Sequence, residues 1–213
     1  EKIDAKEHKD KINNSLKDGK TLLYIGYDGK LLGTIGLSDE LRENTKESIS
    51  RLKKLGVKNI IMLTGDTKEK AKLIADEIGI EEVRAELLPQ DKAKIVKELM
   101  AEGKKVAFIG DGINDAPALI SAHVGISMSR GADIAKATAD ISLLKDDIAC
   151  VVEVKEYANK TMNLINNNFN ATVGINSCIL AGATFGLFSP IVTAVLHNGT
   201  TIGLLLNSIR GVK

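Results

Sequence analysis

The sequence contains no tryptophan, and aromatic residues make up only 3% of it. Recognition of nucleic acid by base stacking therefore has no platform. It has only two cysteines, Cys150 and Cys178, which match no metal-ligand spacing and imply no disulfide framework. It has almost no net charge: 29 basic and 28 acidic residues leave +1, which gives no pull toward polyanions. The start, Glu1-Lys2-Ile3-Asp4, shows neither the basic region nor the apolar stretch of a signal peptide. There is no initiator methionine, so the start reads as internal and the chain is expected to be a piece of a longer polypeptide. What remains is ordinary globular material. The 213 residues, 44% hydrophobic and 27% charged, suit one domain with an appendage.

One absence is local. No Asp, Glu, Lys or Arg occurs from Thr161 to Ile209. A soluble surface at this overall charge density rarely goes so long without one. The chain is therefore expected to divide near residue 160 into a charged part and an uncharged tail.

The charged part alternates strand and helix patterns. Thr21–Tyr27 and Leu31–Leu37 read as a hairpin turning at Asp28-Gly29. Helices are expected over Leu41–Leu55, Lys68–Ile78, Asp91–Met100, Asn114–Ser121, Ala132–Ala137 and Asp147–Asn167. Strands are expected over Asn59–Leu63, Val83–Leu87, Lys105–Ile109, Val124–Ser127 and Ile141–Leu144. This order predicts an α/β fold, a mostly parallel sheet with helices on both faces. Ligands in such folds bind at the carboxyl ends of the strands.

Three groups of residues fall at those ends. Thr64-Gly65-Asp66 follows a strand; its hydroxyl and backbone N–H groups can cradle a phosphoryl oxygen. Taken alone, it reads better as an ordinary strand-to-helix turn with Asp66 as the N-cap. Lys92, early in a helix, can place a point charge on a phosphate, but alone it reads as a solvated lysine. Gly110-Asp111-Gly112-Ile113-Asn114-Asp115-Ala116-Pro117-Ala118-Leu119 follows another strand. Its two carboxylates on a Gly-rich turn can converge on Mg²⁺, with waters and a phosphate oxygen completing the shell.

Together these segments resemble the phosphorylation domain of P-type ATPases, cation pumps of the haloacid-dehalogenase-like superfamily. Asp39-Glu40-Leu41-Arg42 is similar to the Asp-x-x-Arg segment preceding Thr-Gly-Asp in these pumps, and the resemblance runs from about Leu31 to the C-terminus. The short tail, ending Leu206-Asn207-Ser208-Ile209-Arg210, is similar to the heavy-metal-transporting subfamily. The resemblance implies a haloacid-dehalogenase-like fold, ATP and Mg²⁺ as cofactors, and a role for each matching residue. Asp111 would hold Mg²⁺, with Asn114 and Asp115 ordering the metal–phosphate site. Lys92 would neutralise the phosphoryl group, and Thr64 and Gly65 would cradle its oxygens. Asp66 would touch the nucleotide or the magnesium shell, while Asp39 and Arg42 would lie near the nucleotide. The family's nucleophile, the Asp of Asp-Lys-Thr-Gly-Thr, has no match here. Asp28-Gly29-Lys30 lacks the Thr and sits in a hairpin turn. The chain is thus expected to act only as part of a pump whose nucleophile, nucleotide-binding and actuator domains and other membrane helices lie upstream.

Residues 1–30 are then expected to be the end of the nucleotide-binding region and a linker hairpin. Residues 31–160 would be the phosphorylation domain without its first motif, and 161–213 two transmembrane helices, about 168–188 and 190–208. Lys155 and Lys160 before the pair, and Arg210 and Lys213 after it, place both ends in the cytoplasm of a multi-pass cell-membrane protein. Gly174, Gly182, Gly186, Gly199 and Gly203 suit close packing on other helices. Asn176, Cys178, His197, Asn198, Thr200 and Thr201 lie within the spans. His197 is the strongest candidate for contact with a transported transition-metal cation, with Asn176 and Cys178 behind it. Helix–helix hydrogen bonding and packing are the plainer readings of the Asn, Thr and Cys residues. His197-Asn198-Gly199-Thr200-Thr201 resembles the His-Glu-Gly-x-Thr segment of cobalt- and zinc-type pumps, with Asn for Glu. The acidic residue of zinc/cadmium pumps and the Met-x-x-Ser-Ser of copper pumps are missing, so the metal stays open. Two rival readings are a soluble phosphatase of the same superfamily, whose Asp-x-Asp is missing, and a truncated membrane regulator binding Mg²⁺ or nucleotide.

Overall fold

The computed structural model describes residues 21–28, 30–37, 41, 43–111, 113–129 and 133–211. The chain divides into two compact units between Val151 and Val152.

The first unit opens with the expected hairpin, β1 (Thr21–Tyr27) antiparallel to β2 (Lys30–Leu37). Helix α1 covers Thr45–Lys54, a later start than the apolar spacing from Leu41 predicts. Asn44 adopts the left-handed conformation (φ 68°), which no helix continues through. Leu41 still packs against the cluster formed by Ile49, Ala75, Ile78 and Ile80, so its apolar signal reported burial and not helix. Helix α2 (Lys68–Ile78) matches its expected bounds because both ends carry their own signals. The Thr67 hydroxyl accepts from Lys70 N–H at 3.4 Å, and Gly79 takes the left-handed C-cap (φ 78°). The N-cap is therefore Thr67 and not Asp66.

Strands β3 (Ile61–Leu63) and β4 (Glu82–Arg84) pair in parallel. Helix α3 (Pro89–Ala101) leads to β5 (Ala107–Gly110). A 3₁₀ turn (Ile113–Asp115), α4 (Ala116–Ser121), β6 (Val124–Ser127), α5 (Asp133–Thr138) and β7 (Ile141–Ser142) follow. Strand β4 stops short of the predicted Leu87 because Glu86 has φ 58°, outside the extended region.

The parallel α/β architecture is as expected, but its strands form separate groups, β3–β4 and β5–β6–β7. Among the described residues, β3 pairs only with β4, and β5 only with β6. One edge of each is thus left without a strand. The two groups still share a core: Leu63 of β3 packs on the cluster of Ala93, Val96, Phe108, Ala118 and Leu119. Burying such side chains contributes about 2 kcal/mol each, so this cluster fixes α3 and α4 at the carboxyl ends of β3 and β5.

Helix α6 runs unbroken from Ala149 to Thr184, and most of it belongs to the second unit. The sequence pattern suggested an end at Asn167, and the first span was expected to reach residue 188. The helix instead closes with Leu187 N–H bonded to the Gly182 carbonyl at 2.8 Å, and Gly186 is left-handed (φ 74°). Pro190 then begins α7 (Pro190–Gly211). The Asn168 side chain donates to Ser208 Oγ at 2.7 Å and accepts from Asn207 Nδ2 at 2.8 Å, tying the two helices together. Among the described residues, no helix is long and apolar enough to cross a membrane. The Asn, Ser, Thr and His residues interleaved with the apolar ones, and the early end at Thr184, account for this departure from the two predicted spans.

Candidate functional site

The residues singled out in the first unit gather at the carboxyl ends of β3 and β5. Thr64 directly follows β3, and its N–H extends the ladder to the Arg84 carbonyl at 3.0 Å. Its hydroxyl donates to Asp66 Oδ2 at 3.0 Å and accepts from Asp66 N–H at 3.1 Å. A Cβ on Gly65 would lie 3.3 Å from the Leu87 carbonyl oxygen, so a side chain there would crowd the neighbouring loop. Leu87 N–H donates to the Thr64 carbonyl at 3.1 Å, and Leu88 N–H to Asp91 Oδ2 at 2.9 Å. These bonds anchor the start of α3 beside the Thr64 turn.

Lys92 projects from that helix start. Its Nζ lies 2.8 Å from Asp115 Oδ1, with the side chains 18% and 10% exposed. Asp115 occupies the N-cap position of α4 but makes no side-chain capping bond. It engages Lys92 instead, which separates it from an ordinary helix cap. A Cβ on Gly110 would meet Asp115 Cβ at 2.7 Å and Oδ2 at 2.9 Å, so only glycine lets this carboxylate sit against the end of β5. Asp111 and Asn114 are exposed on the same turn.

Thr64, Gly65, Asp66, Lys92, Asp111, Asn114 and Asp115 are thus brought to one region by two strand ends and one helix start. Asp39 and Arg42 lie outside the described residues. Lys70, not singled out from the sequence, pairs with Asp66 at 3.6 Å; its helical i,i+4 spacing was the available signal. Among the described residues no group of three His, Cys, Asp or Glu side chains could hold a metal. On the turn after β5 the donor set is one exposed carboxylate, Asp111, and one buried, Asp115. That suits Mg²⁺, which is commonly held by one or two carboxylates with substrate phosphate oxygens and waters.

In the second unit, His197 Nδ1 lies 3.1 Å from Asn176 Oδ1. Cys178 is exposed and borders an apolar cavity of about 400 Å³ with Gly174, Phe188 and Leu196. The Thr200 and Thr201 hydroxyls donate to the Leu196 and His197 carbonyls at 2.8 and 3.1 Å.

The chain is a member of the haloacid dehalogenase-like hydrolase family, whose pattern matches residues 2–123. Over 98% of its length it is 37% identical to a zinc-exporting P-type ATPase of Mycobacterium marinum and 39% identical to a manganese-exporting P-type ATPase of Mycobacterium leprae. It spans 29% of the length of each. It also resembles the crystal structure of a zinc-transporting PIB-type ATPase in the E2.Pi state. That likeness has a TM-score of 0.85 at 34% identity, over 99% of this chain and 34% of that one.

Proposed function

We propose that this chain is the C-terminal part of an ATP-driven heavy-metal export pump and carries most of its phosphorylation site. The observation that carries the reading is the Lys92–Asp115 contact at 2.8 Å, set beside the Thr64 turn. It puts a cation and a polar cradle at the carboxyl ends of two parallel strands, where phosphoryl transfer by positioning and charge neutralisation can occur. The matching relatives, zinc- and manganese-exporting by name, support a transition-metal cargo without choosing one.

In this reading an Asp upstream of the chain accepts the phosphoryl group of ATP. The Thr64 hydroxyl and the Gly65 N–H bind its oxygens, and the Lys92 ammonium offsets their charge. Asp115 holds Lys92 in place, and Asp66, Asp39 and Arg42 serve the nucleotide side. Asp111, with Asp115 and Asn114 behind it, would hold Mg²⁺, which when bound offsets phosphate charge. The open edges of β3 and β5 suit a parallel strand that brings the upstream Asp to this point. Residues 1–30, 31–160 and 161–213 are read as the end of the nucleotide-binding region with a linker hairpin, a phosphorylation domain lacking its first motif, and a membrane hairpin.

The tail reading places α7 and the later part of α6 in a bilayer, packed among the pump's other helices. Nothing on α7 is buried, and Ile191, Val195, Ile202, Leu205 and Ile209 are exposed. Such a largely apolar surface, uncharged up to Arg210, needs lipid or other helices to cover it. Several of its polar groups bond within the hairpin, which lowers their cost away from water. His197, Asn176 and, more weakly, Cys178 mark the cation path.

The test is metal-stimulated phosphorylation of the complete polypeptide in membranes by ATP. An acyl phosphate that forms with Zn²⁺ or Mn²⁺ and is cleaved by hydroxylamine is expected. Its absence under every transition-metal cation tried would refute the pump reading.

A further inference from the structure

We infer that Asn176 is a positioning residue for His197, fixing which imidazole nitrogen the hairpin offers to a transition-metal cation. The inference rests on the reading of His197 as part of the cation path. Asn176 lies on α6 and presents its Oδ1 to His197 Nδ1 on α7 at 3.1 Å. An amide oxygen only accepts hydrogen bonds, so the nitrogen facing it carries the proton. A neutral imidazole has one N–H, which leaves the lone pair on Nε2. Nε2 has no hydrogen-bond partner among the described residues, and the ring is exposed.

Among the described residues, no other hydrogen-bond partner of the His197 ring is present. The segment from Thr161 to Ile209 carries no charged side chain. The hydroxyls of Thr200 and Thr201 are turned to the helix backbone. The Asn168–Ser208 and Asn168–Asn207 bonds hold the register of the two helices, which keeps Asn176 opposite His197. An acceptor on the far nitrogen orients the ring and strengthens the other nitrogen as a ligand. A neutral imidazole lone pair suits borderline cations such as Zn²⁺ over hard ones such as Mg²⁺. A purely structural hydrogen bond between the helices would make Asn176 indifferent to metal.

The two roles separate in the complete protein, with Zn²⁺ as the probe and ATP hydrolysis as the readout. The Zn²⁺ concentration for half-maximal stimulation and kcat are measured for wild type, Asn176→Leu, His197→Ala and the double variant. Asn176→Leu is expected to raise the half-maximal Zn²⁺ about tenfold, with a smaller change in kcat. The double variant should be no worse than His197→Ala, because Asn176 acts through that ring. Asn176→Asp keeps an acceptor and should restore most of the response; Asn176→Ser replaces the Leu variant should the latter fail to reach the membrane. An unchanged half-maximal Zn²⁺ in Asn176→Leu overturns the inference, as do independent effects that multiply in the double variant. No effect of His197→Ala, or no Zn²⁺ stimulation of the wild type, overturns the cation-path reading and the inference with it. A strong effect of His197→Ala beside none of Asn176→Leu overturns the inference alone.

Discussion

Lys92 Nζ and Asp115 Oδ1 meet at 2.8 Å across 23 residues of sequence, with both side chains largely shielded from water. Losing the ammonium takes a charge-assisted hydrogen bond from a shielded carboxylate, which costs about 1.5–3 kcal/mol. Lys92→Ala is therefore expected to lower the melting temperature of the complete protein and to abolish phosphorylation. Adding Asp115→Asn should recover stability but not phosphorylation. Equal stability of the single and double variants would show that the contact carries little energy.

Gly110 gives that contact its room. Gly110→Ala would drive a methyl group into Asp115 Cβ and Oδ2, and phosphorylation should slow at least about tenfold, equivalent to ~1.4 kcal/mol. Gly125→Ala serves as the comparison. Its Cβ would lie 2.7 Å from the Leu119 carbonyl oxygen, away from Asp115, so it should cost about 1–3 kcal/mol of stability while the folded protein phosphorylates normally. Single-turnover rates and thermal melts read the two effects separately.

Thr64→Ala removes the hydroxyl that bonds Asp66 twice. Stability should fall by about 1 kcal/mol and phosphorylation should slow, while Thr64→Ser retains both. Similar slowing in Ser and Ala variants would shift the role from the hydroxyl to the methyl group.

Asp111 is exposed, so Asp111→Ala should leave the folding stability within about 0.5 kcal/mol of wild type. Mg²⁺-dependent phosphorylation should nonetheless disappear. A normal phosphoenzyme level across a Mg²⁺ titration would remove Asp111 from the metal site.

Elements with local signals were legible in the sequence. Helix α2 carries Thr67 at one end and Gly79 at the other, and its bounds follow from them. The Gly110–Leu119 run marked itself by composition as a turn that opens a helix at a strand end. Features set by tertiary pairing were not legible. The single helix from Ala149 to Thr184 reads in the sequence as two segments meeting at Asn167. Asn168 in fact spends its amide on Ser208 and Asn207, and partners from another helix are invisible to local propensity. Asn176 and His197 each stood out as polar residues in an apolar stretch. Their meeting depends on where the turn at Gly186 ends α6, which no spacing rule supplies. Whether Asp115 caps a helix or reaches a lysine was likewise decided by the placement of α3.

The edges of β3 and β5, unpaired among the described residues, bear on how such a protein is made. A parallel neighbour cannot arrive through a short turn, so a filling strand must come from a distant part of the chain. Such long-range closure is slow to nucleate. Until it happens, two rows of backbone donors and acceptors are open to other copies. Synthesis of these residues alone is therefore expected to yield aggregates. Chaperones and proteases that sense exposed strand edges would see an incomplete molecule as unfinished, whatever the state of its individual helices.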